Sequence, residues 1–102
     1  MSFANVEMQV IQWGEARGIV QNGNAVTQAK VKLQEELEEL IDALERNDLA
    51  EIKDAVGDCM VVLTMICAIK DIDLVDCYKG AYNEIKNRKG YLRPDGVFVK
   101  EV

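Results

Sequence analysis

Apolar positions in this chain return every three or four residues, the spacing of amphipathic helices. Phe3, Val6, Val10 and Trp13 stand at i, i+3, i+7 and i+10 and predict a first helix, with Ser2 as its cap. Arg17-Gly18 ends it, and the stretch GIVQNGN, with two Gly and two Asn, reads as a loop. A second helix is expected from near Asn24 to about Arg46, with Leu33, Leu37, Leu40 and Leu44 on one side. After the break at Asn47-Asp48 a third helix runs to about Lys70. Its segment Cys59–Ile69 is apolar on every side, the mark of a buried central helix. Asp71-Ile72-Asp73 separates it from a fourth helix striped by Leu74, Tyr78, Ala81 and Ile85. The tail holds the single Pro in a Pro-Asp-Gly turn, and Val97-Phe98-Val99 is expected to pair or to pack on a partner chain. These elements predict an all-α, four-helix, bundle-like domain over residues 1–102, with no internal repeat and no glycine-rich phosphate loop.

The polar positions of the second and third helices carry the chemistry. At about 100° per residue, Glu35, Glu39 and Glu36 share one face, opposite the leucines, and Lys32 falls between Glu39 and Glu36. In the third helix Glu51, Asp54 and Asp58 lie within about 60° of one another by the same geometry. Glu39 and Asp54 stand eight and seven residues from Asn47, and Glu36 and Asp58 stand eleven each. An antiparallel hairpin therefore brings Glu36, Glu39, Asp54 and Asp58 to one level, roughly 10–17 Å from its turn. Carboxylates so close cannot all ionise without compensation, and they either take up protons or bind a cation. Glu38, Asp42 and Glu45 read as solvated face. Asp58 does not, because it lines up with Val61, Val62 and Met65 and points where the core is.

Composition narrows the cation. The chain has no His, so any metal site is built from oxygen, which favours Mg²⁺ or Mn²⁺ over zinc. Cys59, Cys67 and Cys77 are odd in number and in apolar contexts, and read as buried reduced thiols of a cytoplasmic protein. Of the net charge of −6, residues 35–58 carry −8, from ten acids and two bases, and the rest carry +2. That balance argues against a nucleic-acid partner, which needs a basic stripe. The longest apolar run is too short to span a bilayer, and the N-terminus lacks the basic and apolar regions of a signal peptide.

The motif KLxEExxEL, a short turn and a Gly-Asp step before an aliphatic helix resemble the MazG-type all-α nucleoside triphosphate pyrophosphohydrolases. Trp13, Arg17-Gly18-Ile19 and the Tyr-Asn-x-Ile-Lys-x-Arg-Lys-Gly element near the end support the resemblance. One position departs: the family's second half is usually ExxD, and Ala55 stands where its Glu would be, with Asp54 one residue earlier. Gly57-Asp58 before the aliphatic run favours Asp54 with Asp58, while the literal pair Glu51 and Asp54 stays open as an alternative, with Glu51 also placed to complete a capping box with Asp48.

The resemblance implies Mg²⁺-dependent hydrolysis of (deoxy)nucleoside triphosphates to a monophosphate and pyrophosphate. Glu36, Glu39, Asp54 and Asp58 become the metal ligands and Glu35 the group that orients or deprotonates water. Asn83 and Lys86 become contacts of the triphosphate, supported by Arg88 and Lys89. Lys32 is a salt-bridge partner or a phosphate contact, Arg17 a helix C-terminal cation or a phosphate contact, and Trp13 a core residue or the edge of a nucleotide pocket. Self-association as a dimer or tetramer, with sites near a subunit boundary, is expected both from the apolar circumference of the third helix and from the family. The alternative, favoured by Ala55, is a non-catalytic helical interaction or regulatory module.

Overall fold

A computed structural model describes residues 2–101, which are mostly helical. Helix α1 spans Phe3–Ala16, and the Ser2 side chain accepts from the Asn5 amide at 3.2 Å. A single turn, α2 (Ile19–Asn22), follows where a loop was expected. Gly18, at φ 76°, ends α1 in the left-handed conformation, and its carbonyl then accepts from the Asn22 amide and side chain. Ile19 and Val20 turn inward and are half-buried, so the local glycine and asparagine signal was outweighed by burial.

The expected second helix starts at its Asn24 cap but is not uniform. It comprises α3 (Ala25–Thr27), a π-helical segment (Gln28–Leu33) and α4 (Gln34–Glu45). Helix α5 covers Leu49–Ile69 and α6 covers Leu74–Ile85. Both follow left-handed turns at non-glycine residues, Asn47 (φ 52°) and Asp71 (φ 56°). In each the chain reverses through a hydrogen bond six residues long: Asp48 N–H donates to the Ala43 carbonyl and Ile72 N–H to the Cys67 carbonyl. Asp48 and Asp73 then cap the next helix, accepting from Glu51 N and from Val75 and Asp76 N. The remaining free amide at the start of α6, that of Leu74, donates to Glu7 Oε2 of α1 at 2.8 Å.

Helix α5 is central, touching α1, α2, α3, the π segment, α4 and α6. It supplies Ala55, Val62, Thr64, Met65 and Cys67 to a small core, completed by Ala43 and Gly14. The tail departs from the all-α expectation. Strands β1 (Gly90–Leu92) and β2 (Phe98–Lys100) pair antiparallel within the chain, in the register Gly90↔Lys100, Tyr91↔Val99, Leu92↔Phe98. A turn carrying Gly96 at φ 90° joins them, tightened by Asp95, which accepts from the Val97 amide. Neither strand packs on a helix. The thiols also depart from expectation: Cys67 is buried, Cys59 half-buried and Cys77 exposed.

Candidate active site

The α4–α5 hairpin carries the acids because small residues line its seam. Ala43 and Ala55 are 1% and 4% exposed, and side chains of that size let two helix axes approach closely. Position 55, where the family motif has an acid, is thus occupied by a seam residue. With the helices drawn together, carboxylate oxygens of Glu36, Glu39 and Asp58 lie within 4.8 Å of one another. The equal spacing of Glu36 and Asp58 from the turn is realised here as equal height.

Glu36 is the most enclosed of the three. Its side chain is 13% exposed, and Oε2 is buried with no hydrogen-bond partner. Burial, then the charges of Glu39 and Asp58 and a hydrogen bond with Glu39, raises its pKa above the ordinary 4.5, with Lys32 opposing. Asp58 is raised above 3.8 by burial, then by Asp54 and Glu39, again against Lys32. A trio of carboxylates, two half-buried and one exposed, with an orphaned oxygen fits a hard divalent cation, which would replace the missing partner and restore ionisation. Burial and the same three acids push the Cys59 thiol up, and the atoms that converge are carboxylate oxygens alone.

Lys32, on the π segment, sits at the rim. Its Nζ is 3.1 Å from Glu35 Oε2 and 4.0 Å from Glu36 Oε1, and the bond to Glu35 raises its pKa. Glu35 is therefore adjacent to the trio but outside it, exposed and paired. Asp54 is a turn earlier on α5 and also outside the trio, yet close enough to act on Asp58. It faces a cavity of about 510 Å³ between α1 and α5, lined also by Phe3, Val6, Lys53 and Asp58. The carboxylate of Glu51 is exposed and does not join the trio, while its backbone amide serves the Asp48 cap.

The apolar stripe of α1 is half open rather than sealed, and it forms the wall of this groove. A contiguous cavity of about 420 Å³ is lined by Val6, Gln9, Val10, Trp13, Asp58 and Val61. Trp13 is thus no core residue. It stands in the same cavity as Asp58, under the guanidinium of Arg17 at 4.6 Å from the ring centre. Asn83 of α6 and Lys86, which caps its C-terminal end, are together, Nζ donating to Oδ1 at 3.4 Å. Asn83 lines an exposed surface made of α6 residues alone, and α6 touches α1 and α5 but not α4. Within one chain the two stand apart from the acids. Sequence reasoning missed Lys53, the cation that shares the groove with Asp54 and Asp58, although it is one of only two bases among residues 35–58. It also missed Glu7, whose bond to α6 spans 67 residues and has no local signature.

A helical hairpin that aims carboxylates from both arms at one point, beside an open groove, defines a class of helical protein with a candidate cation site. The chain belongs to the MazG family: residues 25–92 match the MazG nucleotide pyrophosphohydrolase domain. Over 64 residues, 63% of this chain, it is 38% identical to an uncharacterized 18.2 kDa protein in the rep-hol intergenic region of Haemophilus phage HP1 (strain HP1c1). The matched stretch spans 39% of that phage protein's length. No solved structure matches the chain. MazG-type hydrolases generally use divalent metal ions, and the donor set described above suits one. Among the described residues, no helix is long and apolar enough to cross a membrane.

Proposed function

We propose that this protein hydrolyses (deoxy)nucleoside triphosphates between the α and β phosphates, releasing a monophosphate and pyrophosphate in a Mg²⁺-dependent reaction that Mn²⁺ can also support. The observation that carries the reading is the enclosed Glu36 carboxylate, with one oxygen unpartnered and two further carboxylates facing it. Glu36, Glu39 and Asp58 would hold the ion, with Asp54 adding its charge from the groove side. A divalent ion there supplies neutralisation of the phosphate oxygens and of the charge that develops on the leaving group.

The chain's own groups supply the rest. Glu35, free of the trio, orients or deprotonates the attacking water once Lys32 turns from it toward a phosphate. Trp13 and the apolar wall of Val6, Val10 and Val61 receive the base beside Asp58. Asn83 and Lys86 steady the polyphosphate, and because they stand apart from the acids in one chain, a second chain brings them to the site. Self-association as a dimer or tetramer has independent support. The accessible surface is 7700 Å², against about 5,800 Å² for a compact monomer of this size. The radius of gyration is 15.9 Å, against about 13 Å for a compact domain of this length. The reading places the protein in the cytoplasm with the nucleotide pool.

The test is pyrophosphate release from a panel of canonical and modified triphosphates, with Mg²⁺, with Mn²⁺ and with chelator, alongside thermal melting in the same buffers. Metal-dependent release and a metal-dependent rise in melting temperature are expected. Absence of both would leave the non-catalytic helical module, to which the alanine at position 55 already points.

A further inference from the structure

Helices α5 and α6 face each other along one stripe. Met60 and Leu63 of α5 and Leu74 and Cys77 of α6 surround one cavity with Phe3. Cys67 follows Leu63 by four residues and so continues that stripe by one turn. The α5–α6 turn begins at the same residue, since the Cys67 carbonyl accepts from the Ile72 amide at 2.9 Å and folds the chain back. Cys77, in the first turn of α6, is thereby returned beside Cys67, since the two stand five residues to either side of Ile72, and their thiols are close enough to act on each other. The two differ in access: Cys67 is buried and Cys77 is exposed. The element between them can also move, because α6 is exposed at every residue after Val75 and is tied to the body only at its start.

We propose that Cys67 and Cys77 form a dithiol modification site, oxidised by low-molecular-weight disulfides to an intramolecular disulfide that fastens α6 to α5. The step is thiol–disulfide exchange. The exposed Cys77 thiolate attacks one sulfur of a disulfide such as oxidised glutathione, forming a mixed disulfide and releasing one glutathione thiolate. Cys67 then gives up its proton to that thiolate and attacks Cys77 Sγ. The new Cys67–Cys77 bond expels the second glutathione thiolate, which takes a proton from water. Two protein thiols are oxidised and one disulfide is reduced to two thiols, so no other oxidant enters. Closing the sulfurs to bonding distance requires α6 to shift toward α5, which its sparse packing permits. The bond closes a loop of eleven residues, Cys67 to Cys77, and holds the start of the helix that carries Asn83 and Lys86.

The full chain, reduced and then equilibrated in glutathione buffers from reducing to oxidising, reports directly through intact mass and denatured thiol titration. The expected product has lost two hydrogens and retains one free thiol, Cys59. Cys59→Ser forms it equally well, whereas Cys67→Ser accumulates a single glutathione adduct on Cys77, and Cys77→Ser forms neither product. Amide exchange in the first turns of α6 slows by roughly tenfold or more in the oxidised form, as expected for a closed loop of this length. A stable glutathione adduct on the wild-type chain overturns the proposal. So does retention of all three thiols at the oxidising end, or cross-linking of two chains in place of the internal bond.

Discussion

Helices α5 and α6 begin in the same way and end in opposite surroundings. Each follows a left-handed non-glycine turn, at Asn47 and at Asp71, and each is capped by an aspartate, Asp48 and Asp73. Yet α5 touches every other helical segment, while α6 leaves Tyr78, Tyr82 and Ile85 at 71%, 60% and 51% exposure. Local capping therefore decides where a helix starts and says nothing about whether it is sheltered. What differs is the apolar circumference. Helix α5 is apolar all round from Cys59 to Ile69 and can bury against several neighbours, whereas α6 has one stripe and meets α1 and α5 only near its start. The consequence reaches the site, because the sheltered hairpin can hold carboxylates at an unfavourable distance and α6 has no comparable scaffold for Asn83 and Lys86.

The largest effect should come from emptying the sheltered side of the comparison. Asp58→Asn should lower metal-dependent activity by more than about a hundredfold, beyond the loss typical of residues that only support a metal ligand. The same variant should melt at a higher temperature than wild type in chelator, since it removes one of three crowded carboxylates. Pyrophosphate release and thermal melting measure the two halves, and a variant of unchanged activity would remove Asp58 from the site.

Assembly is the next lever. Ile41 is 54% exposed on α4, and on a monomer Ile41→Arg should change stability by no more than about 0.5 kcal/mol. If α4 and α5 form the subunit interface, light scattering should instead show loss of the oligomer, with activity falling in parallel on dilution. A fully active monomer would mean that one chain's hairpin and its own Lys86 suffice.

Acidity should separate the two regions more gently. Glu36 and Asp58 have folded pKa values raised above 4.5 and 3.8, so the folded state holds protons that the unfolded state has released. Stability of the metal-free protein should then be fully present at pH below those ordinary values. It should decline as pH rises through them toward the raised folded values, and stay level above. Saturating Mg²⁺ should reverse the slope, because the ion requires the same groups ionised. Melting temperatures across that range, with and without Mg²⁺, give the sign directly.

The smallest pair compares the caps. Asp48→Ala and Glu7→Ala should each cost about 1 kcal/mol, as lost helix-terminal acceptors do. The first should lower global stability, whereas the second should appear mainly as faster amide exchange in α6, the segment held by few tertiary contacts. Equal global loss in both would mean that α6 unfolds together with the core.

Helical periodicity and residue spacing were enough to place the helices and the height of the acids. Periodicity placed α1, α5 and α6 to within a residue or two and the outer bounds of the helical stretch that ends with α4, Ser2, Asn24 and Asp48 capped as their types require, and counting from Asn47 put Glu36 level with Asp58. These are consequences of fixed helical rise and of short-range hydrogen bonding, which neighbours in sequence control. Tertiary structure alone decided the rest. It turned Ile19–Asn22 into a helical turn, widened the segment that carries Lys32 into a π helix, and paired the tail as a β ribbon. It assigned Glu36, Glu39 and Asp58 to one point while leaving Asp54 facing α1, and it set Asn83 and Lys86 apart from them. Such outcomes depend on which faces meet and how closely. The alanine seam and the bond from Glu7 to Leu74 set those distances, and they join residues that no local pattern connects.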